Sequence, residues 1–405
     1  MHFDEVAIIG AGLSGLSLAL FLKKHNIQCT IYELRSPNVA AAGALMLSPN
    51  ALRSLDAIGL YDRIKLEAWH FRAGSFRNNQ HEPLGSYEFG DADKYGYDCL
   101  RIYRQVLIDQ LRAMVSECGI EIVDEKGFSH IVSEDGSGVT FAFANGEQRK
   151  AGIVIGADGI RSSVRKYIFP EVELAFAGVM TIVCAVPTSE VKFPYDNYNL
   201  PVSIIGEAGG FSLAQQNADG SEMMAAMQVC THERDKAGWK ALNEDKQQLL
   251  GILRQSYGTW NETIKSVIDA INPETLFVWP FYAVPRLSHW TSAQGRVVLL
   301  GDAAHAIPPS AGQGANQAFE DVHSLSLLMA AARDSKVEWK HCIEWWQHYR
   351  RDRTDKATDL TLEMTKRRLP DWVGEGGTFD NGWLYNIQVA QDVETWLSSR
   401  QPILD

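Results

Sequence analysis

The chain has 405 residues, 45% of them hydrophobic and 22% charged, with a net charge of −12; that is enough for about two domains of roughly 150 to 200 residues and a sizeable core. The acidic balance argues against nucleic-acid recognition, which shows as a basic stripe. Six cysteines, Cys29, Cys99, Cys118, Cys184, Cys230 and Cys342, stand singly with no CxxC pair or metal-ligand spacing and read as a reduced, intracellular set. No apolar run approaches the roughly 20 residues that cross a bilayer, and Met1-His2-Phe3-Asp4-Glu5 lacks the basic start of a signal peptide. A cytoplasmic protein without a membrane span is expected.

In chain order, Val6-Ala7-Ile8-Ile9 reads as a buried parallel strand, followed by glycines, a helix over 13–25 and a second strand at Cys29-Thr30-Ile31-Tyr32, which together make a βαβ crossover. Helices are expected over 48–58, before Gly59, and over 104–118, before Gly119. Alternating residues over 120–155 predict strands, with Asn145-Gly146 as a hairpin turn and Ile153-Val154-Ile155 as a further buried strand. From about 171 to 285 aromatic-rich strands dominate, interrupted by a polar helical stretch over 241–256. Val297-Val298-Leu299-Leu300 returns to the buried-strand pattern, a long helix follows over 314–333, and a charged helix covers 345–369. The nucleotide-binding unit is therefore discontinuous, with a sheet-based region inserted.

Three glycine-containing turns carry the chemistry. In Gly10-Ala11-Gly12-Leu13-Ser14-Gly15 the glycines serve a tight turn, a close backbone approach to a pyrophosphate and close helix–strand packing, and the helix N-terminus faces the phosphates. Glu33, at the end of the second strand, can accept from a ribose diol. Gly156-Ala157-Asp158-Gly159-Ile160-Arg161-Ser162-Ser163-Val164-Arg165 follows another buried strand, and a serine cap at Ser162 or Ser163 explains its turn structurally. Gly301-Asp302-Ala303-Ala304-His305 runs into Pro308-Pro309-Ser310-Ala311-Gly312-Gln313-Gly314-Ala315-Asn316, just before the long helix. His305 is read as a packed residue rather than a base.

With these motifs in this order, the chain resembles the class A flavoprotein monooxygenases, the family of p-hydroxybenzoate hydroxylase and salicylate hydroxylase, over roughly residues 4 to 350. The resemblance implies an α/β fold: a Rossmann-like FAD-binding domain (1–70, 98–170 and 286–344), an inserted β-sheet substrate domain (71–97 and 171–285) and a C-terminal helical segment (345–405). It implies FAD held by Gly10, Gly12, Leu13, Ser14, Gly15, Glu33, Leu34 and Arg35, with Arg104 reaching the pyrophosphate and Asp158 linked to FAD and the nicotinamide. Asp302 matches the ribityl-binding aspartate, and Gly312, Gln313, Gly314, Ala315 and Asn316 surround the flavin ring. A helix N-terminus there would stabilise the anionic reduced flavin. Leu34 departs from the family, since many members carry Arg after the ribose acid.

The family's chemistry implies NADH or NADPH as co-substrate and O2, with oxygen delivered from a hydroperoxide at flavin C4a to a small organic substrate; a monomer or homodimer is expected. Substrate-lining candidates are Pro309, Phe281 and Tyr282, with Gln215 and Met227 as weaker ones, and Pro309 and Tyr282 are the candidates nearest the chemistry. Residues 200–232 and 274–285 contain no Lys or Arg. A buried carboxylate would need a cation, so a neutral phenolic or polycyclic substrate, such as a secondary metabolite, is expected unless Arg72, Arg77 or Arg286 reaches the pocket. A flavin-dependent reductase or dehydrogenase, and a non-catalytic FAD-bound interaction protein, are the alternatives. A halogenase is disfavoured because the Trp-x-Trp-x-Ile-Pro motif is missing.

Overall fold

A computed structural model describes residues 5–370 and 379–400. Five short apolar strands form a parallel sheet in the order Val297–Leu299, Ile153–Gly156, Val6–Ile9, Cys29–Tyr32, Glu121–Val123. Its central strands are buried on both faces, which is why they read as continuous hydrophobic runs rather than alternating ones. The sheet mixes strands from widely separated parts of the chain, as expected for a discontinuous unit.

The helix after the first strand is Leu13–Lys24, and Arg104–Glu117 and Gly314–Arg333 also match their expected positions closely. The Asn145-Gly146 turn connects Gly138–Phe143 to Gln148–Ala151 as a hairpin, with Gly146 at φ 84°. The polar stretch over 241–256 is two helices, Lys236–Glu244 and Lys246–Gln255, divided at Asp245, whose side chain caps the second by accepting from Gln248 N at 2.9 Å. The charged C-terminal helix begins earlier than expected and runs Trp339–Lys366.

The inserted region is a seven-stranded sheet: Phe277–Ala283, Ala175–Pro187, Glu222–Cys230, Gly209–Gln215, Val202–Gly206, Ala73–Asn78 and Pro83–Glu88. One face buries Ile182, Phe211, Leu213, Met223, Ala225 and Met227 under Trp239, Leu249 and Ile264 of the covering helices. The opposite face looks toward the nucleotide-binding unit. A small antiparallel sheet, Ala44–Leu47, Cys99–Tyr103 and Trp69–Phe71, lies between the two.

Candidate functional site

A single cavity of about 1230 Å³ runs from the first glycine turn to the open face of the seven-stranded sheet. That exceeds the roughly 300–1,000 Å³ of a single small-ligand pocket. At its nucleotide end, Gly10 (φ 110°) allows the turn to pass the 157–158 backbone; a Cβ there would lie 2.5 Å from the Ala157 carbonyl oxygen. Gly12, Leu13 and Ser14 line the cavity, while Gly15 packs against Gly10 behind it. Glu33 is fixed by backbone donors: Ala11 N to Oε2 at 2.6 Å and Arg35 N to Oε1 at 2.9 Å. Leu34 and Arg35 also line this end.

Farther along, Arg104 and Asp302 both open onto the cavity. Enclosure pushes the Asp302 carboxyl above the usual carboxylate range, opposed by His305 and Arg104, and pulls the Arg104 guanidinium below its usual value, opposed by Asp302. Asp158 accepts from Ser163 N at 2.7 Å and Val164 N at 3.1 Å through Oδ2, while its buried Oδ1 has no partner and the side chain borders the cavity. Ser162 supplies the turn's cap, accepting from Arg165 N at 2.8 Å.

Pro309, Gly312, Gly314 and Ala315 line the middle of the cavity. Gly312 sits at φ 66°, and a Cβ there would come 2.6 Å from Met46 Cε. Gln313 and Asn316 stand behind this wall instead. Gln313 donates to Ser48 Oγ at 3.1 Å, and Asn316 accepts from Ser48 N at 3.0 Å while donating to the Met46 and Gly312 carbonyls. They lock the glycine loop to the Ala44–Leu47 strand. His305 also turns away: its Nε2 meets Asp321 Oδ2 at 2.5 Å in a buried pair, against Trp290.

The residues present fit a dinucleotide with a flat ring system. Neither the helix beginning at Leu13 nor the one beginning at Gly314 carries a side-chain cap, so both leave N-terminal amides available. A Cβ on Gly12 would meet no protein atom within 4 Å, and the Asp158 Oδ1 acceptor lacks a protein donor. Among the described residues no cluster of His, Cys, Asp or Glu could hold a metal ion, and no helix is long and apolar enough to cross a membrane.

The far end of the cavity corrects several expectations. Phe281 lines it, as expected, together with Phe277 and Trp279. Tyr282 faces the other side, where its hydroxyl accepts from Trp239 Nε1 at 3.0 Å, and Met227 and Gln215 do not border the cavity either. The cause is strand alternation: a one-residue change of position flips a side chain to the opposite face. Gln216, Met224, Ala226 and Gln228 occupy the places expected of Gln215 and Met227.

Arg72, Arg77 and Arg286 are all engaged elsewhere, with Asp91, Asp93 and Asp98, with the His81 carbonyl, and with Asp355 and Asp359. The cavity instead takes its cations from outside the Lys- and Arg-free stretches. Arg101 comes from the Cys99–Tyr103 strand and Arg368 from just beyond the long C-terminal helix. Arg101 had a local signal, an arginine in an apolar strand. Arg368 had none, because only tertiary packing brings it here.

Residues 4–361 match the FAD binding domain family model. A Streptomyces cremeus 3-amino-4-hydroxybenzoate 2-monooxygenase is 30% identical over 374 residues, covering 91% of this chain and 88% of the relative. A Pseudomonas fluorescens 6-hydroxynicotinate 3-monooxygenase is 28% identical over 380 residues, covering 91% and 94%. Among solved structures, Klebsiella pneumoniae HpxO complexed with FAD and uric acid superposes with a TM-score of 0.74 at 23% identity, covering 97% of this chain and 92% of that one.

Proposed function

The chain belongs to the FAD binding domain family, the class A flavoprotein monooxygenases, and from that premise we propose how its residues divide the work. It is an FAD-dependent monooxygenase of the aromatic-hydroxylase type, for which we read NADPH or NADH and O2 as co-substrates. The observation that carries this reading is the continuous cavity joining the glycine turn, Asp302 and the sheet face.

FAD, when bound, supplies the two-electron redox chemistry that activates O2. In our reading Gly10, Gly12, Leu13 and Ser14 present backbone amides to the diphosphate, Glu33 accepts from the ribose, and Arg104 offers a fixed cation. Asp158 and Asp302 hold hydroxyl or amide donors along the cleft. The amides at Gly314 and Ala315 would offer donors to a bound flavin ring, with the helix dipole behind them to favour negative charge there. Gly312 keeps side chains off the ring, and Gln313 and Asn316 act one step back by fixing that loop. Pro309 and Phe281 form apolar walls that orient the substrate ring and exclude water.

Sheet membership supports separating an FAD-binding unit (1–70, 98–170, 286–344) from a substrate unit (71–97, 171–285), whereas the C-terminal segment read as 345–405 begins inside the helix Trp339–Lys366 and is better started at Trp339. We place the protein in the cytoplasm, as a monomer or homodimer, consistent with six unpaired cysteines. The test is to purify the protein, record its flavin spectrum, and follow NAD(P)H and O2 consumption over a panel of phenols and hydroxylated aromatic acids. A panel member that accelerates both, with a product heavier by one oxygen, is the expected result. Bound flavin whose reduction never couples to substrate oxygenation would favour a reductase.

A further inference from the structure

The substrate end of the cavity holds two buried guanidiniums that have no counter-ion among the described residues. Arg101, 5% exposed, has among the described residues only Gln216 Oε1 at 3.4 Å and Met224 Sδ at 3.0 Å as partners, and its buried Nε has none there. Arg368, 9% exposed, donates from Nε to Ser203 Oγ and from Nη1 to the Ser310 and Met364 carbonyls, each at 3.1 Å. Among the described residues neither forms an ion pair with Asp or Glu. The contrast within the same fold is Arg350, fully buried and bonded to both Glu320 and Asp321.

Burial pulls both guanidiniums down to about 10, with the Cys99 thiol partly set against it at Arg101 and the Tyr87 hydroxyl at Arg368, where Arg367 adds to the depression. A buried cation without a partner is unfavourable unless an anion arrives with the ligand. The sheet register brings the two within one site. Arg101 touches Met224, which pairs with Ala214, and Arg368 touches Ser203, which pairs with Ser212. Ser212 and Ala214 are neighbours on one face of a single strand, about 7 Å apart by strand rise.

We propose that the substrate is an aromatic acid whose carboxylate is taken by Arg101, with Arg368 as the second cation beside the glycine loop. The assignment rests on the monooxygenase reading and specifies its substrate class, replacing the neutral ligand that composition alone suggested. Arg101 is the anchor because its Nε has no partner among the described residues and its Nη2 meets only a long amide contact and a thioether, while a guanidinium matches a carboxylate in a planar, bidentate way. Arg368 has given its donors to Ser203, Ser310 and Met364, so it contributes charge more than contacts. Gln228 adds a polar point on the same face: its Nε2 donates to Ser310 Oγ at 3.1 Å, leaving Oε1 buried without a donor. That acceptor suits a ring hydroxyl or amine.

The test uses the FAD-loaded enzyme and matched probes: 3- and 4-hydroxybenzoate and 6-hydroxynicotinate against their primary amides, titrated by the perturbation of the flavin spectrum. At least one acid is expected to bind about tenfold or more tighter than its amide, and Arg101→Gln should lower acid affinity about tenfold more than amide affinity, with partial recovery in Arg101→Lys. Amides binding as tightly as acids, no acid binding at all, or an acid-to-amide ratio untouched by Arg101→Gln would each overturn the proposal. Should Arg101→Gln fail to fold, the wild-type ratio alone decides. Failure of the monooxygenase reading is seen separately, as flavin reduction that stays uncoupled from oxygenation for acids and amides alike.

Discussion

A Cβ added at Gly12 would meet no atom within 4 Å, whereas one added at Gly15 would lie 1.9 Å from the Gly10 carbonyl oxygen. Gly12→Ala should therefore melt like the wild type yet bind FAD at least about tenfold more weakly, because only the ligand occupies the space the methyl enters. Gly15→Ala should lose about 1–3 kcal/mol of stability through overpacking before any binding is considered. Thermal melts of the cofactor-free proteins and FAD fluorescence titrations separate the two, and undiminished FAD binding by Gly12→Ala would remove that glycine from the diphosphate site. Residues of this kind were legible from sequence because their signal is local: glycines at fixed spacing between a strand and a helix, and Glu33 at the end of the next strand. Tyr282, Gln215 and Met227 were misplaced because alternation gives two equivalent faces. Which of them is covered depends on helices such as Lys246–Gln255, whose docking side no short window of sequence reveals.

Two long helices, Gly314–Arg333 and Trp339–Lys366, are joined by a network whose Glu320, Asp321 and Arg350 are fully buried. Arg350 bonds Glu320 and Asp321, and Arg353 Nε reaches Glu320 Oε2 at 2.7 Å. Since the first of these helices presents its N-terminus to the cavity, the network holds that end in place. Arg350→Met is expected to cost about 3–5 kcal/mol by leaving Asp321 and Glu320 short of a cation. Burial alone would raise the Glu320 carboxyl, but Arg353 and Arg350 hold it down to about 2, below its ordinary 4.5. Its contribution is thus complete above about pH 4.5 and is lost as pH falls toward 2. Urea unfolding at pH 5 and pH 3 should show the wild type losing more stability over that interval than Glu320→Gln; equal losses would exclude Glu320 as the acid-sensitive group. The sequence placed the first helix at its observed ends but started the second too late, at residue 345. Trp339, Cys342 and Ile343 belong to its buried face, but a break after Arg333 leaves too short a run there for periodicity to declare itself. The helix Glu262–Asp269 went unread, although Asn261, which caps it, was a usable signal.

At the scale of the molecule, one ligand would touch the parallel sheet, the small bridging sheet and the glycine loop together, so binding should be felt everywhere. Protein stripped of flavin should gain about 2.7 kcal/mol on adding FAD at a hundredfold excess over its Kd. The check is a rise in Tm with FAD concentration, and a Tm indifferent to FAD would contradict a cofactor bound across these elements. The fold class was readable because three glycine-containing turns each followed a buried strand; the cation pair was not, since Arg101 and Arg368 meet only through long-range packing. The same long-range assembly has a consequence for biogenesis. The strands Val297–Leu299, Ile153–Gly156 and Val6–Ile9 lie side by side, so an emerging polypeptide holds its first glycine turn long before the ribosome has made the neighbours that complete it. A chain that stops before Val297–Leu299 would lack both that strand and the glycine loop that follows it, so only part of the cavity wall would stand ready for a cofactor.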